Sequence, residues 1–163
     1  MKSATEEINP FIREHKIRVL IKNKDKAIMT TKQLLSGDRI VLHPELGHIN
    51  TKYLLDTSNK VSIFMTAEMR QIYMNLSGTA NKLLRYIEGI LRYGDDIVKI
   101  NPGKFMEEAH IASKTTYYDA IAELCRYGFI TPYHKQTYYW INSFVFFNGS
   151  RIDKYPNNLE LID

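Results

Sequence analysis

Between Ser113 and Tyr118 the chain reads Ser-Lys-Thr-Thr-Tyr-Tyr, a hydroxyl followed by a cation, two further hydroxyls and a pair of phenols. Side chains of these types reach phosphate oxygens, base edges and thymine methyl groups. Ser113 is a plausible N-cap, and the helix it opens should run to about Tyr127 and stop at Gly128. On that helix Tyr117, Ala120, Ile121, Leu124 and Cys125 form an inner stripe. Lys114, Thr115, Tyr118, Asp119, Ala122 and Arg126 are left facing outward. Asp119 opposes phosphate binding, although a carboxylate can accept from cytosine N4. The residues expected to touch nucleic acid are Lys104, Ser113, Lys114, Thr115, Thr116, Tyr118, Lys135 and Gln136.

The elements that must position these residues span Asp96–Asn142. Ile97–Ile100 reads as a short strand. Asn101-Pro102 then opens a helix by two devices, a capping side chain and a proline where no N–H donor is needed. Lys104, near that start, could hold a phosphate together with the helix's N–H groups. Phe105, Met106 and Ala109 fall on its inner side, and His110-Ile111-Ala112 forms a turn in which His110 should adopt a positive φ. After the second helix, Thr131–His134 and Thr137–Ile141 should form a hairpin with Lys135-Gln136 at its tip. Strand, helix, turn, helix and hairpin in this order is the winged helix-turn-helix arrangement.

Upstream, Lys16–Thr31 alternates basic and apolar residues, which predicts a strand through Ile17, Val19 and Ile21 and a turn at Asn23–Lys26. Further strands are expected at Arg39–His43, Thr51–Asp56 and Val61–Met65, the last two joined by Thr57-Ser-Asn-Lys60. From Thr66 the period becomes helical, with helices over Ala67–Met74 and Asn81–Tyr93 separated by a break at Ser77–Thr79. Leu83, Leu84, Ile87, Ile90 and Leu91 line the second. The first dozen residues read as loose. The expected fold is therefore α+β. A β-rich basic extension, expected to be an antiparallel sheet, spans residues 1–66, a winged helix-turn-helix domain 67–155 and a C-terminal tail 156–163.

Charge sharpens the picture. Residues 1–60 hold 11 Lys/Arg against 7 Asp/Glu, while residues 61–163 hold 11 of each. Arg13–Lys32 alone carries Arg13, Lys16, Arg18, Lys22, Lys24, Lys26 and Lys32 against two acidic residues. That stretch suits a polyanionic partner, or equally a solvated strand edge studded with lysines. The neutral remainder implies that a winged helix here lacks a broadly basic surface, so phosphate contacts are expected from the N-terminal segment as well. No apolar run reaches the roughly 20 residues of a membrane span, and the N-terminus lacks a secretory signal. Cys125 is the only cysteine, which suits a reducing cytoplasm.

Other chemistry finds little support. His43, Glu45 and His48 could be assembled into a metal site, but no third ligand stands at helical spacing. There is no phosphate-binding G-x-x-x-x-G-K-[ST] loop, and the Ser-Gly pairs at Ser36 and Ser77 sit in no nucleophile elbow. Tyr117-Tyr118 lacks the paired histidines that a nicking tyrosine requires. Trp140, Phe144, Phe146 and Phe147 could stack bases but fit core packing better. Hence no catalytic residue, metal or cofactor is expected.

Three places also resemble the plasmid replication proteins of the RepL type from Gram-positive bacteria. They are the Tyr53–Val61 hairpin, the block Asn81–Ile130 with its Gly-Phe-Ile ending, and Tyr139-Trp-Ile-Asn-Ser-Phe-Val-Phe-Phe-Asn-Gly-Ser-Arg151. Here Asn59 and Lys60 replace the family's Gly and Glu, Ser143 its Pro, and Ser150 its Asp. The resemblance covers about residues 52–155. It implies binding to the replication origin of a plasmid or phage, in the cytoplasm of a bacterial host, followed by recruitment of host replication proteins. A winged-helix transcriptional regulator and a host-factor-binding module remain the alternatives. Double-stranded DNA is the expected partner, and such proteins often act as homodimers on paired half-sites.

Overall fold

The computed structural model describes residues 7–30, 40–57 and 67–162. Lys32, Arg39, the Val61–Met65 strand and the Thr66 cap lie outside the described residues. The chain is α+β, and the described residues form three small sheets. Among the described residues no helix is long and apolar enough to cross a membrane.

The first layer begins where a loose segment was expected. Asn9-Pro10 opens helix α1 (Pro10–Glu14), with the Asn9 side chain accepting from the Phe11 N–H. Strand β1 (Ile17–Ile21) follows, and Asn23 caps a single helical turn, α2 (Lys24–Ala27). Strands β2 (Ile40–His43) and β3 (Gly47–Asn50) pair as a hairpin; β3 was not foreseen. Its turn is stabilised by His43, whose Nδ1 accepts from the N–H groups of Glu45 and Leu46. Thr51–Tyr53 is a 3-10 turn rather than the start of a strand, because the Asn50 side chain takes the Lys52 N–H. Only Leu54–Asp56 (β4) is extended, and it pairs antiparallel with β1.

The other neighbour of β1 comes from the far end of the chain. Residues 156–162, expected as part of a tail, form a 3-10 turn and strand β8 (Leu159–Ile162), which runs parallel to β1. The sheet order is β4-β1-β8, so the sheet is mixed rather than the expected antiparallel extension, because its third strand comes from residues 159–162. Ile17, Val19 and Leu54 on its inner face meet Ile12, Ile49, Ile152 and Tyr155 in one hydrophobic core.

A second core lies under the helical part. Helix α3 (Ala67–Asn75) precedes α4 (Gly78–Ile90). The supposed break at Ser77 is the N-cap of α4, its Oγ accepting from the Ala80 N–H. The helix thus starts and stops earlier than expected. Ala80, Leu83, Leu84 and Ile87 are buried, Leu91 folds inward from an extended cap, and Ile90 is 36% exposed rather than part of the stripe. Strand β5 (Ile97–Lys99), helix α5 (Pro102–Glu108), helix α6 (Lys114–Arg126) and strands β6 (Ile130–Pro132) and β7 (Tyr138–Ile141) follow. The sheet order is β5-β7-β6, which puts Pro132 on an edge strand where its missing N–H costs nothing. Phe105, Tyr117, Leu124, Phe129, Ile130 and Ile141 close this core against α4. Phe146 and Phe147 pack against it, Phe144 packs against the other core, and Trp140 is buried, in keeping with core packing over stacking.

A buried polar cluster joins the two layers. The Asn9 amide donates to Ile141 O (2.9 Å) and to Asp96 Oδ2 (3.3 Å). Tyr155 OH donates to the same Asp96 oxygen (2.9 Å) and lies 2.7 Å from Ser143 Oγ. Arg151, leading the short helix α7 (Arg151–Lys154), donates through Nε to Ser143 O and pairs with Asp56 at 3.5 Å. Burial lowers the Arg151 pKa, and Asp56 opposes that shift. Desolvation raises the Tyr155 phenol pKa, so it stays protonated and able to donate.

Candidate nucleic-acid interface

The two helices α5 and α6 are set by local devices that compose one rigid turn. The Asn101 side chain accepts from the Lys104 N–H (3.1 Å), with Pro102 in the first turn. At the other end Ala109 caps α5, Ile111 N–H reaches back to Met106 O, and His110 takes φ 56°. Lys82 of α4 donates to Ala109 O at 3.3 Å and fastens the turn to the neighbouring helix. Ser113 Oγ then accepts from the Thr116 N–H, opening α6.

Helix α6 buries the stripe that its period demands. Tyr117, Ala120, Ile121 and Leu124 are buried, with the Tyr117 ring 5.8 Å from Phe105. Cys125 is half-buried. Desolvation raises the pKa of both the Tyr117 phenol and the Cys125 thiol. A second tie fixes the helix's rotation: the Glu123 carboxylate accepts from both the N–H and the Oγ of Ser77. Gly128, at φ 77°, ends the helix, and the Asn142 amide donates to its carbonyl.

The opposite face is solvent-exposed. Lys114, Thr115, Tyr118, Asp119, Ala122 and Arg126 all lie there, and Tyr118 is 57% exposed with its ring edge-on to Tyr117. Ser113 is exposed but its hydroxyl already serves as the cap. Thr116 is half-buried, so it contributes less surface than its neighbours. Lys104 is exposed on α5. That helix has seven residues and the Lys104 N–H is taken by Asn101, so the lysine side chain, not the helix end, is the group free to meet an anion.

The hairpin between β6 and β7 carries the two remaining residues expected to touch nucleic acid. Its tip spans residues 133–137, closed by Tyr133 N–H to Tyr138 O and turned by Thr137 at φ 70°. Lys135 and Gln136 are exposed there, the Lys135 ammonium 4.7 Å from the Tyr138 ring centre. Glu7 approaches from the N-terminal segment, accepting from Tyr133 OH and lying 3.1 Å from His134 Nδ1. The chain matches no protein-family model, no curated protein and no solved structure.

Arg13, Lys16, Arg18, Lys22, Lys24 and Lys26 are exposed, but they belong to α1, β1, α2 and their connections, not to the α6 face. Sequence reasoning missed Lys82, Glu123 and the Asn9–Asp96–Tyr155 cluster, which position the site without facing solvent chemistry. Their partners lie far away in the chain, so no local spacing marks them.

Proposed function

We propose that the chain is a sequence-specific reader of double-stranded DNA of the winged helix-turn-helix kind, acting as the initiator that binds the replication origin of a plasmid or phage. The observation that carries the reading is the exposed first turn of α6. It presents Lys114, Thr115 and Tyr118 on a helix whose rotation is fixed by a buried stripe, by Lys82 and by Glu123. A reader needs such rigidity, because base discrimination depends on hydrogen bonds of defined geometry. The β5-β7-β6 sheet supports the same reading, since it places Lys135 and Gln136 at the tip of a hairpin beside the helix pair. The replication role is supported by the resemblance of Tyr139–Arg151 to the ending of the RepL-type proteins.

In this mechanism α6 enters the major groove through its first turn. Lys114 and Thr115 meet base edges or phosphates, and the Tyr118 phenol donates or makes apolar contact. Lys135 and Gln136 hold the adjacent backbone, with Lys104 on a phosphate of the same strand. Footprinting on the DNA that carries the protein's own gene tests the idea. A protected site at physiological salt is expected, and full accessibility throughout would overturn it. Repression of a reporter without any change in replicon copy number would assign the same surface to transcription instead.

A further inference from the structure

A further cluster of positive charge gathers next to helix α5, outside helix α6. A groove of about 430 Å³ runs between the end of α4, strand β5 and the start of α5. Arg92, Lys99 and Lys104 line it, against one carboxylate, Asp95. Tyr138, which faces Lys99 across the β5–β7 ladder, also lines it. The Lys99 ammonium stands 5.9 Å from the centre of that ring and the Lys135 ammonium 4.7 Å, so the groove and the hairpin tip form one patch. Among the described residues none of these four cations is paired with a carboxylate.

Formal neutrality of residues 61–163 hides this excess because several of the compensating acids are engaged elsewhere. Glu88 pairs with Arg85, Glu123 holds Ser77, and Asp96 is buried in the polar cluster. The patch could in principle stack bases or hold phosphates. Tyr138 is the ring best placed for stacking, but ammonium groups already occupy its surroundings, as cation–π pairs do. Cations held this way are oriented while their outer N–H donors stay free for anionic oxygen.

We infer that this groove carries the phosphodiester backbone of duplex DNA flanking the stretch read by α6, with Arg92 and Lys99 as sequence-independent contacts. The inference rests on the DNA-reading role of α6. It is tested with the intact protein and its R92Q/K99Q variant, on a duplex containing the protected site, on a random duplex of equal length and on one strand of each. With a slope of about 0.9 in log K per phosphate contact, losing two contacts should weaken binding about 60-fold at 0.1 M salt and lower the salt slope by about 1.8. The loss should be equal on both duplexes, and R92K/K99R should retain wild-type affinity. K114A, by contrast, should weaken the protected site more than the random duplex. Unchanged affinity and salt slope in R92Q/K99Q, with wild-type binding intact, would overturn the groove alone. Failure of R92K/K99R to bind, or stronger loss on single strands than on duplex, would overturn it as well. Absence of any binding by the wild type would instead overturn the reading of α6 on which it rests.

Discussion

Replacing Asn9 by alanine tests the tie between the two layers. Asn9 is 2% exposed, so water does not already share its hydrogen bonds. The substitution removes the bond to Ile141 O at 2.9 Å, the bond to Asp96 Oδ2 at 3.3 Å and the cap to Phe11 N–H at 3.0 Å. A neutral buried bond contributes about 1 kcal/mol, a cap about 1 and a bond to a carboxylate about 1.5 or more, the last reduced here by its length. The expected cost is therefore about 3 kcal/mol, a large share of the stability of a domain this size. Guanidinium unfolding followed by tryptophan fluorescence reads it, since Trp140 is buried one residue from Ile141. The midpoint should fall without a change in m. Tyr155→Phe removes the other donor to Asp96, so the two substitutions share a partner and should couple by at least about 0.5 kcal/mol in a double-mutant cycle. A loss below about 1 kcal/mol, or strict additivity, would refute the idea that Asn9 and Tyr155 jointly satisfy Asp96.

Further outcomes follow from the same geometry. Lys114→Ala should cost about 1–3 kcal/mol in binding to the protected site, yet shift stability by under about 0.5, because its side chain is exposed; electrophoretic shift and thermal melting separate the two effects, and a stability loss as large as the binding loss would sink the assignment. Tyr117 and Tyr155 have phenol pKa values raised above the ordinary 10.0 by burial, so they favour the fold below that pH and their contribution is lost as pH rises past it; the unfolding free energy from denaturant titration should fall above pH 10 by up to about 1.4 kcal/mol per pH unit for each group, and Y117F should flatten the fall. Thr137 is β-branched at φ 70°, so Thr137→Gly should stabilise the protein by about 1 kcal/mol through relief of strain, and a lower melting temperature would contradict this.

What the sequence disclosed follows from how local each signal is. The outward set on α6 was legible because Ser113, Gly128 and a 3.6-residue stripe all lie within one segment. The cap at Asn101-Pro102 was legible for the same reason. An identical Asn-Pro device stands at Asn9-Pro10, but the helix it opens is only five residues long, too short for a periodic stripe to mark it. The helix over Gly78–Ile90 was displaced by three residues because Ser-Gly-Thr reads as a break when Ser77 is in fact its cap. Strand β8 was hidden for a different reason. Four residues carry little pattern, and their partner β1 stands near the opposite end of the sequence. The basic patch carries no local signature either, since Arg92, Lys99 and Lys104 line one groove and Lys135 joins them only through the Tyr138 ring, when α4, β5, α5 and the β6–β7 hairpin pack together.

The parallel pairing of β1 with β8 also governs the order in which the molecule can assemble. Ile17 and Leu159 are about 140 residues apart, so closing that loop costs roughly 4 kcal/mol of chain entropy before any ladder bond forms. The helices between Gly78 and Arg126 make near-neighbour contacts and can condense first. During synthesis β1 leaves the ribosome long before its parallel partner exists. It must wait with Ile17 and Val19 uncovered on that side, held only by what β4 provides. The helices between Gly78 and Arg126 can therefore form early, while the sheet that ties them to the N-terminal segment closes late.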